Sequence, residues 1–383
     1  MIDGKVLIVV EQLRRRVPGG AGTYAAGLLT GIGRMAEAGE AVPPVTLFAS
    51  RGEIAIRRRG ADRSRAGPSS DDQLETFGLP LIESRLPGPL LTRVWDAGIG
   101  LVPPGFAFVH ATSLAVPPAR GVPNERTFVT VHDLAWRQVP FAYPARGVRW
   151  HENAFVKALR RRLEFVVPSP TVADELQQAG AEPSRVTVIE PGGDHLPPPD
   201  FDAASLLLER NGVRGPFILS VGTLQPRKNL ETLADAYSKI RGSLPEPWPL
   251  VVVGPAGWGP GLTARDGVVP VGSVSRAQLS ALYARAELLA YVPLVEGFGL
   301  PPLEAMQAGT PVLASPIPST GGAAFEVDPH VTEQIAEGLL AVATDSELRE
   351  DLVAAGLAHA RKLSWQACAR RHVELWKSRA DGR

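Results

Sequence analysis

Cysteine is almost absent from this sequence, which limits the chemistry open to the chain. Cys368 is the single cysteine in 383 residues, so neither an intrachain disulfide nor a metal site built from thiolates can form. Proteins without disulfides are typical of reducing compartments. No set of His, Asp and Glu residues has the spacing of metal ligands either. We therefore expect no metal or other cofactor, and a cytoplasmic location.

Long apolar runs and an excess of charge are also lacking. The first apolar run, Val6–Val10, ends at Glu11 and is too short for a signal peptide core or a membrane span. With 40 basic and 40 acidic residues, nothing indicates a nucleic-acid partner. Arg57–Asp72 has almost no apolar residues and is predicted to be a mobile loop. Its arginines could contact an anionic acceptor or the inner membrane surface, as a peripheral contact.

Two consecutive series of strand and helix patterns predict two α/β domains. Short apolar and β-branched runs alternate with helical stretches, and the alternation restarts after a segment rich in Pro and Gly. The predicted strands are Val6–Val10, Val45–Phe48, Ala107–His110, Phe128–Val131, Phe165–Pro168, Val186–Ile189, Phe217–Val221, Leu250–Val253, Val268–Val271, Leu288–Val292 and Val312–Ala314. Helices are predicted at Tyr24–Glu37, Ala145–Arg162 and Pro170–Ala179, the last capped by Thr171.

This alternation is typical of doubly wound, Rossmann-like domains. We predict an N-terminal domain over residues 1–190, a linker over 191–213 and a second domain over 214–363. A final helix over 364–383 is expected to pack back on the N-terminal domain. Ligands of such sheets bind beyond the carboxyl ends of the strands, so two facing domains would share one cleft.

The segment Glu296–Gly309, EGFGLPPLEAMQAG, is the most informative part of the sequence. Two glycines keep the loop slim, and two prolines suit the first turn of a following helix. A helix N-terminus is favourable for an anion, whereas Glu296 and Glu304 are suited to accept hydrogen bonds from hydroxyl groups. A nucleotide sugar offers both a diphosphate and hydroxyls. Taken singly, each glutamate could equally be an ordinary solvated or helix-starting residue.

A second segment, Val221–Leu230, has two adjacent cations between a strand and a helix. Arg227 and Lys228 could bind a diphosphate, the first as a bidentate fork and the second as a point charge. Exposed basic turns are common, so this segment carries weight only together with the two glutamates.

Two further features are open to a functional or a structural interpretation. His132 directly follows a predicted strand and His110 ends one, and in either place a histidine could reach a ligand or be structural. The segment from Gly20 to Ala25 resembles a dinucleotide-binding glycine loop. In a dinucleotide-binding domain that loop directly follows the first strand, and an acidic residue lies at the end of the second strand. Neither condition is met here. A nicotinamide-dependent dehydrogenase is therefore disfavoured.

Together these segments resemble the retaining family-4 glycosyltransferases of the GT-B fold, which have two facing Rossmann-like domains with a cleft between them. In that family two glutamates separated by seven residues mark the donor site, and Glu296 and Glu304 have this spacing. The resemblance extends over nearly the whole chain and is nearest to mannosyl- and rhamnosyltransferase-like members. Further matching segments are Pro18–Gly22, His132–Asp133, Arg227–Asn229, Val271–Val274 and the final helix with its tryptophans.

The resemblance implies a role for each matching residue. Glu304 should hold the donor ribose, Glu296 the transferred sugar, and Arg227 with Lys228 the diphosphate. The catalytic residues implied are Glu296, His132, Arg227 and Lys228. The donor-binding residues implied are Gly20, Gly222, Arg227, Lys228, Val274, Glu296, Phe298, Gly299, Leu300 and Glu304.

Two departures from the family pattern are visible. Thr223 stands where many members have an arginine, so Arg227 must supply most of the guanidinium contact. The segment Pro318–Phe325 is shorter than usual and lacks a Pro-Glu pair.

The expected function is a metal-independent, retaining transfer of a mannose- or rhamnose-like hexose. The donor is a nucleoside-diphosphate sugar, and the acceptor is a hydroxyl of a glycan or lipid-linked molecule in polysaccharide or glycolipid synthesis. Two alternatives stay open: a non-catalytic partner protein that binds nucleotide sugars, and a nucleotide-sugar epimerase of the same fold. Donor hydrolysis distinguishes the first from an enzyme, and epimerisation of donor alone identifies the second.

Overall fold

A computed structural model describes residues 4–15, 17–51, 74–100, 102–119, 121–244, 248–259 and 261–380 of the chain. These residues fall into two compact units. The first comprises the described residues of Met1–Leu134, Arg149–Pro191 and Trp365–Arg383. The second comprises those of Ala135–Val148 and Gly192–Ser364. The predicted mobile loop, Arg57–Asp72, lies outside the described residues.

The first unit is built on a parallel sheet. Its strands are β1 (Val6–Val9), β2 (Val45–Ser50), β3 (Leu81–Ser84), β4 (Phe108–Ala111), β5 (Thr127–Thr130), β6 (Glu164–Val167) and β7 (Val186–Val188). In the described residues their order is β3-β2-β1-β4-β5-β6-β7, and all pairs are parallel. Strand β1 is completely buried, which explains its continuous apolar sequence. The order reverses next to β1, and this is the topological switch point of the sheet.

The helices of the first half of the chain connect these strands. They are α1 (Gly19–Glu37), α2 (Gly88–Asp96), α3 (Ala135–Gln138), α4 (Ala145–Arg160) and α5 (Pro170–Gln178). The short helix α3 and the start of α4 belong to the second unit although they lie early in the sequence.

The last helix, α12 (Trp365–Ala380), packs against α1 within the first unit. Gly27 and Gly31 permit this close approach: a Cβ at either position would lie 2.1 Å from an atom of Trp365. The Trp365 side chain is fully buried as a result.

A second parallel sheet forms the second unit. Its strands are β8 (Ile218–Val221), β9 (Leu250–Val253), β10 (Val268–Gly272), β11 (Leu288–Tyr291), β12 (Val312–Ala314) and β13 (Phe325–Glu326). Their order in the described residues is β10-β9-β8-β11-β12-β13. The helices are α6 (Phe201–Arg210), α7 (Leu230–Ile240), α8 (Arg276–Arg285), α9 (Leu300–Gln307), α10 (Thr332–Thr344) and α11 (Ser346–Ala360). The α/β class with two Rossmann-like domains is therefore confirmed.

Three local predictions were wrong. Helix α1 begins five residues before the predicted Tyr24 and so includes the glycines that were read as a loop. Ser169, not Thr171, caps α5, because Pro170 takes the first helical position and the Ser169 hydroxyl accepts from the Val172 N–H. Helix α6, capped by Asp200, occupies much of the predicted linker. Strands β3 and β13 were not predicted.

None of the described helices is both long and apolar enough to cross a bilayer.

Candidate donor site in the second unit

Glu296 is the centre of a buried cluster of charged and polar side chains. Its Oε1 accepts hydrogen bonds from Arg227 Nη1 at 2.9 Å, from the Tyr291 hydroxyl at 2.9 Å, and from Lys228 Nζ. Lys228 Nζ also donates to the Tyr291 hydroxyl at 2.6 Å. The Glu296 side chain is only 10% exposed. Three donors thus converge on one carboxylate oxygen, and no donor in the described part of the chain reaches the other.

Glu296 is ionised in this environment. Burial alone would raise its pKa, but the charges of Arg227 and Lys228 and the hydrogen bonds from Lys228 and Tyr291 outweigh burial and bring the pKa to about 2. Burial and the nearby carboxylate charge raise the pKa of Tyr291 well above its ordinary value, so its hydroxyl stays protonated. The open oxygen of Glu296 is therefore a permanent hydrogen-bond acceptor.

Glu304 has a different arrangement. Its Oε2 accepts a 2.6 Å hydrogen bond from the Tyr283 hydroxyl, and its Oε1 lies 3.1 Å from His195 Nε2. Burial raises the pKa of Glu304, but the hydrogen bond and charge of His195, the Tyr283 hydroxyl and the charge of Arg276 together lower it. Each carboxylate oxygen already has a partner, although an oxygen can accept a second donor. Glu304 is buried, with 7% of its surface exposed.

The two glutamates flank the start of helix α9. Gly299 precedes this helix with φ of 92°, and a Cβ there would lie 2.7 Å from Ile317 Cδ1. Both the positive φ and the close neighbour require glycine. Because Pro301 and Pro302 follow Leu300 and have no N–H, the first turn of the helix offers few donors. The side chains of Arg227 and Lys228 must therefore supply most of any anion binding here.

The turn after strand β8 positions the two cations. Asn229 adopts a left-handed conformation with φ of 58°, and its Nδ2 donates to the carbonyls of Val292 and Pro329. These bonds fix the turn to the end of strand β11. The N–H of Gly222 donates to the Val253 carbonyl, and a Cβ at Gly254 would lie 1.9 Å from the Gly222 carbonyl oxygen. The backbone of the turn is thus held by both neighbouring strands.

The remaining predicted donor residues of the second unit are placed as follows. Phe298 is buried, and its carbonyl accepts the Ser319 N–H. Leu300 and Val274 are half-buried and pack against the same core cluster, Val274 in the connection between β10 and α8. The structure therefore brings together Glu296, Arg227 and Lys228, with Gly299 and Glu304 on the adjoining helix.

His132 and Gly20 belong to the first unit. His132 Nε2 lies 2.9 Å from the Thr112 carbonyl, which can only accept, so this nitrogen carries the proton. Burial lowers the pKa of His132, although that hydrogen bond and the charge of Asp133 oppose the shift. The ring of Tyr24 meets that of His132 edge to face at 4.9 Å. Gly20 is exposed in the first turn of α1, and no atom within 4 Å would meet a Cβ there.

His110 is structural. It is fully buried, bonds to the Thr130 hydroxyl at 2.9 Å and stacks on His372 at 5.2 Å between ring centroids. Burial, followed by the charges of His372 and His132, lowers its pKa well below the ordinary value. In the described residues no group of three His, Cys, Asp or Glu side chains is arranged to hold a metal ion.

Sequence reasoning missed Tyr291, Tyr283 and His195. Tyr291 ends a buried strand directly before the glutamate segment, where a hydroxyl-bearing side chain is a recognisable signal. Nothing in the sequence joins His195, inside a Pro- and Gly-rich segment, to a helix more than a hundred positions later.

Comparison with known proteins agrees with this geometry. Residues 209–359 match the family model described as "Glycosyl transferases group 1". The chain is 29% identical over 268 residues to the O-antigen chain mannosyltransferase B of Escherichia coli, covering 66% of this chain and 70% of that protein. It is 28% identical over 312 residues to the serotype-specific mannosyltransferase WbdA of Escherichia coli, covering 73% of this chain but only 37% of that protein.

The fold is also found in solved glycosyltransferase structures. The Anabaena protein Alr3699/HepE, in complex with UDP and glucose, superimposes with a TM-score of 0.67. The match covers 98% of this chain and all of that one at 17% identity, so it shows a shared fold. With its two Rossmann-like domains, Glu304 on helix α9, Glu296 in the loop before that helix and the matched segment 209–359, the chain is similar to the group 1 glycosyltransferases and has the GT-B fold.

Proposed function

We propose that the protein is a retaining, metal-independent mannosyltransferase. It would transfer mannose from a nucleoside-diphosphate mannose to a hydroxyl of a glycan or lipid-linked acceptor, in polysaccharide or glycolipid synthesis. The observation that carries this proposal is the convergence of Arg227, Lys228 and Tyr291 on one oxygen of Glu296. The choice of mannose rests on the relatives, which are named mannosyltransferases.

Arg227 and Lys228 would stabilise the leaving group. Negative charge grows on the diphosphate as its bond to the sugar breaks, and fixed cations aimed at that charge are usually the largest catalytic contribution. Both cations are oriented by Glu296 before any ligand binds, so little reorganisation is needed during the reaction. This arrangement fulfils the role that a divalent metal has in other phosphate-transfer sites, which is why we propose a metal-independent reaction.

Glu296 would hold the transferred sugar through its second oxygen, to which no donor among the described residues bonds. An ionised carboxylate accepts strongly from sugar hydroxyls, and it favours the positive charge that develops on the sugar ring. The same low pKa, about 2, makes Glu296 a weak nucleophile. We therefore favour attack by the acceptor hydroxyl on the face that the diphosphate leaves. The acceptor oxygen bonds to the anomeric carbon, the bond from that carbon to the diphosphate breaks, and a phosphate oxygen takes the acceptor proton.

A donor screen tests the proposal. Purified protein is incubated with GDP-mannose, UDP-glucose, UDP-galactose and dTDP-rhamnose, and thermal stability and donor hydrolysis are followed. A nucleoside-diphosphate mannose should stabilise the protein and be hydrolysed slowly, with the first sugar product in the α configuration by NMR. A ligand at 100 times its dissociation constant stabilises by about 2.7 kcal/mol. Absence of any stabilisation by the mannose donor, or release of the inverted sugar, contradicts the proposal.

A matched pair of variants makes the screen specific to the site. Lys228→Met removes a cation from the cluster, whereas Lys239→Met removes one from an exposed ion pair with Glu333 in the same unit. The first change should abolish hydrolysis, and the second should leave it unaltered. Equal activity of the two variants would remove Lys228 from the diphosphate site.

A further inference from the structure

Three aromatic residues on two neighbouring segments of the second unit are exposed or partly exposed. We call Phe141, Tyr143 and Trp258 the aromatic patch. Phe141 is 74% exposed and Trp258 is 37% exposed. The ring centroids of Tyr143 and Trp258 are 5.7 Å apart. Exposing large apolar rings costs free energy unless a ligand covers them, so a fixed group of them calls for a functional explanation.

The backbone holds the patch rigidly. Phe141 lies in a short 3-10 turn between Val139 and Ala142, whose side chains are buried. The Trp258 Nε1 donates a 2.6 Å hydrogen bond to the Ala142 carbonyl. The N–H groups of Ala142 and Tyr143 bond back to the carbonyls of Val139 and Pro140. Phe141 is thus held outwards by an anchored turn, and Trp258 is oriented by its ring nitrogen.

The patch adjoins the cluster around Glu296. Tyr143 packs against the buried residues Ala135, Val139 and Ala142, and so do Leu294 and Val295, which lead directly into Glu296. The Leu294 N–H bonds to the Arg227 carbonyl, and Arg227 Nη1 lies 3.3 Å from the Val295 carbonyl. The segment that carries Phe141 and Tyr143 therefore packs on the same buried residues as the segment that leads into Glu296.

The loop that carries Trp258 is packed against the basic turn on its other side. A Cβ at Gly257 would lie 2.4 Å from the Leu224 carbonyl, and one at Gly259 would lie 2.9 Å from Pro226 Cγ. These glycines allow the loop to lie directly on the segment that leads to Arg227. The contacts of Glu304, with Tyr283 and His195, involve none of these segments. The patch is therefore at the Glu296 side of the site and away from the Glu304 side.

We propose that the aromatic patch binds a pyranose ring of the acceptor and presents its hydroxyl to the donor sugar. This inference rests on the proposed function. The C–H face of a pyranose is apolar and flat enough to stack on an aromatic ring, while its hydroxyls remain free to bond elsewhere. A nucleobase would also stack, and a rise of the donor KM alone on changing Phe141 would identify it as the occupant. The acceptor is thus a saccharide at its reacting end, and the patch determines its position.

Variants of Phe141 test the inference. Phe141→Tyr keeps an aromatic face, whereas Phe141→Leu keeps an apolar side chain without one. Phe201→Leu is the control, because Phe201 is 47% exposed in the same unit at the start of helix α6. Saturation-transfer NMR is recorded with the methyl α-glycosides of mannose, rhamnose, glucose and galactose, each with GDP present. At least one glycoside should receive saturation from wild type, Phe141→Tyr and Phe201→Leu, and about three- to tenfold less from Phe141→Leu.

Kinetics provides a second readout. With GDP-mannose as donor and the methyl glycoside that binds as acceptor, Phe141→Leu should raise the acceptor KM and leave the donor KM and donor hydrolysis unchanged. The inference is overturned if no glycoside receives saturation, if Phe141→Leu equals wild type, or if only the donor KM rises. If Phe141→Leu weakened binding to anionic vesicles and not to glycosides, the patch would be assigned to a membrane. That result would also overturn the inference. Failure of GDP-mannose to bind any variant instead contradicts the proposed function, because the patch is not needed for donor binding.

Discussion

Replacing Glu296 with glutamine should cost the protein both stability and turnover. The folded state holds the carboxylate pKa at about 2 against an ordinary 4.5, and each pKa unit corresponds to about 1.4 kcal/mol. The ionised form is thus favoured over a neutral one by about 3 kcal/mol. Glutamine resembles the neutral acid in shape, so Glu296→Gln should lose most of that amount at neutral pH. For a unit of this size we expect a melting temperature lower by about 6–12 °C.

The stability that Glu296→Gln loses should depend on pH in a definite direction. Because the folded pKa is below the unfolded one, the stabilisation is complete above pH 4.5 and is lost as pH falls towards 2. The difference between wild type and Glu296→Gln should therefore be constant from pH 8 to about pH 5 and fall to roughly half by about pH 3. Denaturant unfolding at a series of pH values measures it. Glu333→Gln, which removes the exposed partner of Lys239, should leave the melting temperature unchanged.

Activity must be separated from this loss of stability. At a temperature where both proteins are folded, Glu296→Gln should lower kcat and leave binding of a nucleoside diphosphate near normal, because the proposed function assigns the lost contact to the sugar. If Glu296→Gln had the same melting temperature as wild type, Glu296 would not hold the two cations together. A stable variant with full kcat would assign the sugar contact to another residue.

Four further predictions follow from the same contacts. Arg227→Ala should weaken binding of nucleoside diphosphate by about 1.5–3 kcal/mol and leave nucleoside binding unchanged; calorimetry showing equal losses would contradict this. Gly299→Ala should cost roughly 1–3 kcal/mol because of its φ of 92°, whereas Gly33→Ala, in the open interior of α1, should be neutral or stabilising. Activity should survive a chelator; loss that magnesium or manganese restores would refute metal independence. Burial lowers the pKa of His372 to about 4, so the free energy of unfolding of the first unit should fall by about 2 kcal/mol between pH 7.5 and pH 5. An unfolding free energy that does not change with pH would exclude that.

The sign of the histidine prediction follows from linkage. Burial lowers the pKa of His372 below 6.5, so the unfolded chain takes up the proton first as pH falls. Stability is therefore complete above pH 6.5 and is lost between that pH and about pH 4. His110 and His132, whose pKa values are also lowered by burial, add to the loss in the same direction.

Much of the fold could be predicted because the strands are buried on both faces. Strands β1, β4, β5, β6, β9 and β11 are fully buried, and their apolar runs are visible in the sequence without any partner. Strands β3 and β13 lie at the edges of their sheets, where burial is partial and the apolar signal is weak. The start of helix α1 was predicted too late in the sequence because Gly19, Gly20 and Gly22 suggest a loop. Close packing favours small residues in this helix, as Gly27 and Gly31 show.

The candidate site was only partly predictable, for a different reason. Glu296 and Glu304 lie close together in the sequence, and so do Arg227 and Lys228, so both pairs can be recognised from the sequence alone. The contact between Arg227 and Glu296 joins positions 69 apart in sequence, and it follows only from the parallel pairing of β8 with β11. His195 reaches Glu304 from a segment whose prolines and glycines gave no sign of a structural role.

Glu296, in the loop before helix α9, and Glu304, within that helix, have different environments, and the environment decides what each carboxylate can do. Glu296 has cations on one oxygen and, within the described residues, no donor on the other, so it can accept from a ligand without giving up one of these contacts. Glu304 has a tyrosine on one oxygen and a histidine on the other, so a ligand must share or replace one of them. Spacing alone cannot distinguish these cases. The assignment of the sugar to Glu296 thus rests on hydrogen-bond geometry, whereas that of the ribose to Glu304 rests on the family resemblance.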